Sequence, residues 1–129
     1  MQARRATPMY LVDNIAETCR HYEALGFQPK LTDDAGCVGV TAGPTGVILL
    51  DCEYAQRSLP ARAVTLLQQK PALYVWVESL DALRPDLRGE FLGEQRTAEL
   101  REWAIESPQG LIVFAETAAP DRARATCAT

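Results

Sequence analysis

The chain has 129 residues, 47% hydrophobic and 23% charged, with a formal net charge of -4. A single domain of this size buries roughly two thirds of its unfolded surface. The acidic balance leaves no basic face for counterion release, which argues against a nucleic-acid partner. No run approaches the ~20 apolar residues of a membrane span.

Residues 1–6 read as a mobile arm, and Thr7–Val12 as a strand. Asp13 or Asn14 can cap a helix over Ile15–Leu25, with Glu17 in its first turn and Gly26 at its C-terminal end. Phe27–Thr32 is a second strand, suited to a sheet edge because Pro29 removes a donor. A hairpin follows: Cys37–Val40, the turn 41–46, then Val47–Asp51. Residues 53–70 form a linker with a helix over Ala61–Gln69. Ala72–Val77 is again a strand, and Leu80–Leu83 a short helix capped by Ser79 and stopped by Pro85. A brief strand is expected near Glu90–Leu92. Leu100–Glu106 and Leu111–Thr117 make a second hairpin, turned at Ser107-Pro108-Gln109-Gly110. The tail, 119–129, is rich in Ala, Arg and Thr and reads as disordered.

The second half echoes the first. Subtracting 65 from the numbers of Val113–Glu116 gives Ile48–Asp51, and the same offset takes Leu73–Glu78 to Pro8–Asp13. The chain thus reads as one domain of two modules, about 7–52 and 71–117, each strand, helix, strand, hairpin. Tandem βαβββ modules predict an α+β fold: a curled mixed β-sheet with helices on the convex face and a concave face left for a small molecule.

Cys19, Cys37, Cys52 and Cys127 show neither CxxC nor any other metal spacing. No apolar segment follows Met1 and no h-region follows Arg4-Arg5, so these read as reduced thiols of a cytoplasmic protein.

Several motifs resemble the vicinal oxygen chelate superfamily (glyoxalase, bleomycin resistance, dioxygenase). Val12-Asp13 followed by His21-Tyr22-Glu23-Ala24-Leu25-Gly26-Phe27 is similar to that family's opening V-x-D strand and F-Y-x-x-L-G-F helix end. Arg101-Glu102-Trp103 with Ser107-Pro108-Gln109-Gly110 resembles the R-E-F … D-P-x-G-N ending of the bleomycin-resistance branch, with Ser107 and Leu111 departing from it. The superfamily's enzymes hold a divalent metal on the first and fourth strands of each module. The resemblance places those positions at Thr7, Leu49, Ala72 and Phe114, which are not a competent ligand set. A one-residue shift, to Pro8, Ile48 or Leu50, Leu73 and Val113 or Ala115, does no better. His21, the only histidine, falls on a helix. No metal and no cofactor are therefore expected.

If those four positions face inward, strand alternation adds Met9, Leu11, Val47, Asp51, Tyr74, Trp76, Ile112 and Glu116 to the same face. Glu102 and Ala104 join them across the hairpin, with Trp103 and Ile105 under a helix. The expected ligand site is Trp76, Tyr74, Phe114, Leu49 and Met9 for stacking and apolar contact, with Asp51, Glu102 and Glu116 to attract a cation. The resemblance, the lost metal positions and this aromatic and acidic face together predict a metal-free protein that sequesters a cationic aromatic antibiotic or related ligand in a dimer cleft, and the strand edges and apolar surface of a two-module sheet predict a homodimer. The alternatives are an enzyme of lyase or dioxygenase type with an atypical site, and a small-molecule sensor.

Overall fold

The computed structural model describes residues 3–32, 34–83 and 88–117, so the expected disordered tail lies outside the described residues. The strands are β1 (Ala3–Leu11), β2 (Gln28–Leu31), β3 (Cys37–Ala42), β4 (Thr45–Leu50), β5 (Ala72–Val77), β6 (Glu90–Arg96), β7 (Leu100–Ser107) and β8 (Gly110–Thr117). The helices are α1 (Ile15–Ala24), α2 (Cys52–Ser58), α3 (Ala61–Gln69) and α4 (Leu80–Leu83). All eight strands form one curled, unclosed sheet in the order β2-β3-β4-β1-β5-β8-β7-β6. The two halves meet where β1 and β5 pair antiparallel at its centre.

The 65-residue offset holds at the level of register. Met9, Tyr10 and Leu11 pair with Ile48, Leu49 and Leu50 in parallel. Adding 65 to each number gives the parallel pairs Tyr74–Val113, Val75–Phe114 and Trp76–Ala115. Val38 opposite Leu49 becomes Trp103 opposite Phe114, and Cys37 opposite Leu50 becomes Glu102 opposite Ala115. The sequence echo is thus a repeat of strand pairing across three strands of each half.

Two local differences from expectation follow from pairing rather than hydrophobicity. Residues 3–6 are not an arm: Ala3 lies opposite Val77 and Arg5 opposite Trp76, although these residues stay exposed. Solvated side chains carry no burial signal, yet their backbone completes the ladder to β5. The linker begins with a helix of its own, because the Asp51 side chain accepts from Tyr54 N at 2.8 Å and caps α2. At α1 the cap is Asn14, whose Oδ1 accepts from Glu17 N at 2.9 Å.

The sheet has two packed faces. On one, α4 brings Leu80 and Leu83 onto Val75, Val77, Trp103 and Ile105, all buried. In the first module α1 packs on β2 and β3, where Val38, Val40 and Leu49 form the matching buried row. The connecting helix α3 lies on the other, inner face. Its Ala63, Leu66 and Leu67 cover Met9, Leu50, Ala72, Ala104, Leu111 and Val113. The inner face is therefore partly roofed by the segment that joins the modules, and the open part lies beside α3.

Candidate ligand pocket

The open part of the inner face is organised by Tyr74 and Glu102. Tyr74 stands on β5 and Glu102 on β7, with β8 between them. Two strand spacings are about 10 Å, which a tyrosine can bridge only over a low row. The β8 residues at the crossing are Val113 and Ala115. The Tyr74 hydroxyl donates to a Glu102 carboxylate oxygen. Burial pushes the Glu102 carboxyl above its ordinary range, and the Tyr74 hydrogen bond offsets only part of that. Tyr74 is raised well above the usual phenol, first by burial and then by the neighbouring carboxylate.

A second pair extends this polar cluster toward α2. Tyr54 and Cys37 pack against the same inner cluster, and burial pushes the thiol to about 11 and the phenol to about 12. Cys37 and Glu102 are the same position in the two modules, so the repeat sets a thiol and a carboxyl symmetrically on the inner face.

Beside the cluster is a pocket of about 250 Å³. Glu102, Ala104 and Val113 line it from the sheet, Arg57, Ser58, Leu59 and Pro60 from the α2–α3 junction, and Gly93, Glu94 and Gln95 from β6. Gly93 makes the wall possible, because a Cβ there would come within 2.8 Å of Pro60 Cγ. Gln95 lies opposite Glu102 in the β6–β7 ladder. Its Oε1 is buried and accepts no hydrogen bond among the described residues. Arg57 is drawn outward by Asp34, at 3.0 Å.

Of the eight expected site residues, the structure brings three together: Tyr74, Glu102 and Trp76. Trp76 is half-buried on the same face, edge-on to Tyr74 at 5.8 Å between ring centroids. Met9 shares the face but is 3% exposed beneath α3. Leu49 and Phe114 face the opposite side: Leu49 is fully buried, and Phe114 packs with the Trp103 cluster. Glu116 is also on that side, accepting from Leu80 N at 2.6 Å and from Arg101 at 3.5 Å. Asp51 is spent as the α2 cap.

The inward assignment was thus right for β1, β5 and β7 and one residue out of step for β4 and β8. A one-residue slip moves a whole strand's side chains to the other face. Gln95, Tyr54 and Cys37 were missed. For Cys37 a signal existed, since it lies 65 residues before Glu102.

The corrected frame leaves the metal question where chemistry can answer it. The inner-face residues of β1, β4, β5 and β8 are Thr7, Met9, Ile48, Leu50, Ala72, Tyr74, Val113 and Ala115. Hydroxyls, alkyl groups and one thioether do not make a divalent-metal set. Among the described residues no three His, Cys, Asp or Glu side chains gather to hold an ion. The residues do not fit the superfamily's metal.

No protein-family model and no curated protein matches the chain in sequence. Solved structures match it in fold. A glyoxalase/bleomycin resistance protein/dioxygenase superfamily member from Vibrio splendidus 12B01 superposes with a TM-score of 0.59 at 15% identity, over 89% of this chain and 99% of that one. A hypothetical protein from Methanosarcina mazei gives 0.57 at 16% identity, over 92% and 95%. The chain has the glyoxalase/bleomycin resistance/dioxygenase fold. At these identities the likeness is one of fold alone, and nothing in it selects the bleomycin-resistance branch. Among the described residues no helix is long and apolar enough to cross a membrane.

Proposed function

We propose that this protein binds a small cationic molecule on its inner sheet face and performs no metal-dependent chemistry on it. The observation that carries this reading is Glu102, a half-buried carboxyl lining a pocket and held by Tyr74 rather than by a basic side chain. A buried acid without a cationic partner is costly to ionise, and a bound cation supplies the missing charge. Tyr74 and Trp76, adjacent on the same face, offer an aromatic surface for the ligand's planar part, where such contacts contribute about 0.5–2 kcal/mol each.

The pocket is smaller than the usual 300–1,000 Å³ of drug-sized sites. Within the sequestration reading it takes the charged end of a cationic aromatic antibiotic, with the remainder lying over Trp76. A homodimer belongs to the same proposal. Leu25 and Leu31 are 63% and 82% exposed beside the edge strand β2, apolar surface that a second copy would cover. Light scattering tests that part.

Intrinsic fluorescence tests the binding. Trp76 and Trp103 are the only tryptophans, and Trp103 is fully buried on the far face. A cationic aromatic ligand, bleomycin or a simpler aromatic amine, should quench saturably, and Trp76→Ala should remove most of that signal. No quenching and no thermal shift at millimolar ligand would reject the reading. A proton-transferring enzyme is the second reading, because a carboxyl raised by burial is poised as a general base or acid. Turnover lost in Glu102→Gln, with binding retained, would favour it.

A further inference from the structure

We propose that residues 118–122 turn back as a strap over the β7–β8 end of the inner face, with Arg122 pairing with Glu99 as Arg57 pairs with Asp34. The proposal goes beyond the binding reading above, and no ligand enters its argument or its test. It rests on the 65-residue repeat carried past the last strand. In the first module the chain leaves β4 and turns back as α2, whose Tyr54 packs on the inner cluster. Arg57, near the end of α2, fastens that helix to Asp34 at 3.0 Å. Adding 65 to the two numbers gives Glu99 and Arg122. An acid and a base thus recur at both positions of the pair.

Glu99 is placed as Asp34 is. Thr32 Oγ1 accepts from Asp34 N at 3.1 Å, and Thr97 Oγ1 accepts from Glu99 N at 3.2 Å, the same turn 65 residues later. The turns lead into the third strands of the modules, which begin at Cys37 and Leu100. Glu99 is exposed, and among the described residues no basic side chain pairs with it. Reach permits the pairing. Leu100, next to Glu99, lies opposite Thr117, one strand spacing of about 5 Å away. The chain from Thr117 to Arg122 spans up to about 17 Å.

Two differences from the first module shape the strap. Ala55 N donates to Asp51 O at 3.0 Å in the first turn of α2, and Pro120 at the repeat position has no N–H to donate. Gly36, where a Cβ would come within 2.8 Å of Tyr54 Cβ, becomes Arg101. The strap therefore repeats the ion pair and not the close-packed helix. Thr117 shares the inner face with Ala115 by alternation, and Ala115 lies beside Trp76 in the β5–β8 pairing. A strap returning from Thr117 to Glu99 on that face shields Trp76 from solvent.

Acrylamide quenching of the intact chain tests this, because Trp103 is fully buried and Trp76 is half-buried. Arg122→Glu and Glu99→Arg should each raise the quenching constant about twofold. The doubly reversed chain should return it to the parent value, as a direct charge pair requires. Ending the chain after Thr117 should raise it at least as much as either reversal. Hydrogen exchange gives a second readout: amides of 118–122 should be protected in the parent and the doubly reversed chain and lose protection in each single reversal. Thermal melts of each variant establish that it is folded. Quenching and exchange unmoved by either reversal, or a double reversal that behaves like the singles, would overturn the pairing. A chain ended after Thr117 with Trp76 no more accessible than in the parent would overturn the strap itself.

Discussion

Glu94 and Glu102 sit on adjacent strands and face opposite sides of the sheet, and their surroundings differ in one respect. Glu94 accepts from Trp103 Nε1 at 2.7 Å, from Arg96 at 2.6 Å and from Arg101 at 3.0 Å. Those donors, the indole first, hold its carboxyl down at about 2. Glu102 has a single neutral donor, Tyr74, and burial pushes it the other way. The Trp103 side is a saturated polar network around a fully buried indole, with Arg101 also bridging toward Asp81 and Glu116. The Tyr74 side leaves acceptors unmet beside a pocket. The outer-face acid is saturated with donors, and the inner-face acid is not.

The largest effect that probes this contrast is loss of the saturated side. Trp103→Ala should cost about 3–5 kcal/mol, as for other fully buried large side chains, and urea denaturation measures it. A loss below about 1 kcal/mol would mean that the outer face is not the structural one.

Next comes the pH dependence, where the two acids should act with opposite sign. Glu94 has a folded pKa below its ordinary value of 4.5, so its contribution is present above that value and is lost as pH falls toward about 2. Glu94→Gln should flatten that acid limb in urea melts from pH 2 to 5. Glu102 has a folded pKa above 4.5, so the folded chain keeps its proton longer than the unfolded one. Stability from that site is full below the ordinary carboxyl range and declines as pH rises through the raised value. Glu102→Gln should abolish the decline. Limbs of the same sign in both variants would break the comparison.

A smaller effect sharpens it at a single pH. At pH 7.5 Glu102→Gln should raise stability by up to about 1 kcal/mol, since the amide still accepts from Tyr74 and no buried charge remains. A fall in the melting temperature instead would place Glu102 among the structural acids. The smallest change should come from Gln95→Leu, a gain of a few tenths to about 1 kcal/mol on removing an unpaired buried oxygen. Differential scanning calorimetry resolves it, and a loss there would point to a structural role for the amide.

Much of this contrast is legible in the sequence. Trp103 was legible as core because it alternates with Glu102 on a strand whose two faces differ in polarity. Tyr74, Trp76 and Glu102 were legible as sharing the inner face for the same reason. Leu49 and Phe114 were placed on the wrong side because β4 and β8 are apolar on both faces. Val47-Ile48-Leu49-Leu50 and Leu111-Ile112-Val113-Phe114 contain no polar residue to mark the solvent or ligand side. Gln95 gave no signal: a glutamine in a short polar strand is ordinary until its neighbours are known.

By itself the sequence determined the modules, their 65-residue offset, most strand and helix positions and the fold, because each depends on local periodicity and on caps within a few residues. It also determined that the metal positions hold no competent donor set, since a missing donor atom is missing in any register. Only the tertiary structure decided which face of β4 and β8 turns inward, that α3 roofs part of the inner face, and that Gln95 meets Glu102 beside the pocket. Period-two alternation says which residues share a side of a strand. Which side that is depends on partners distant in the chain.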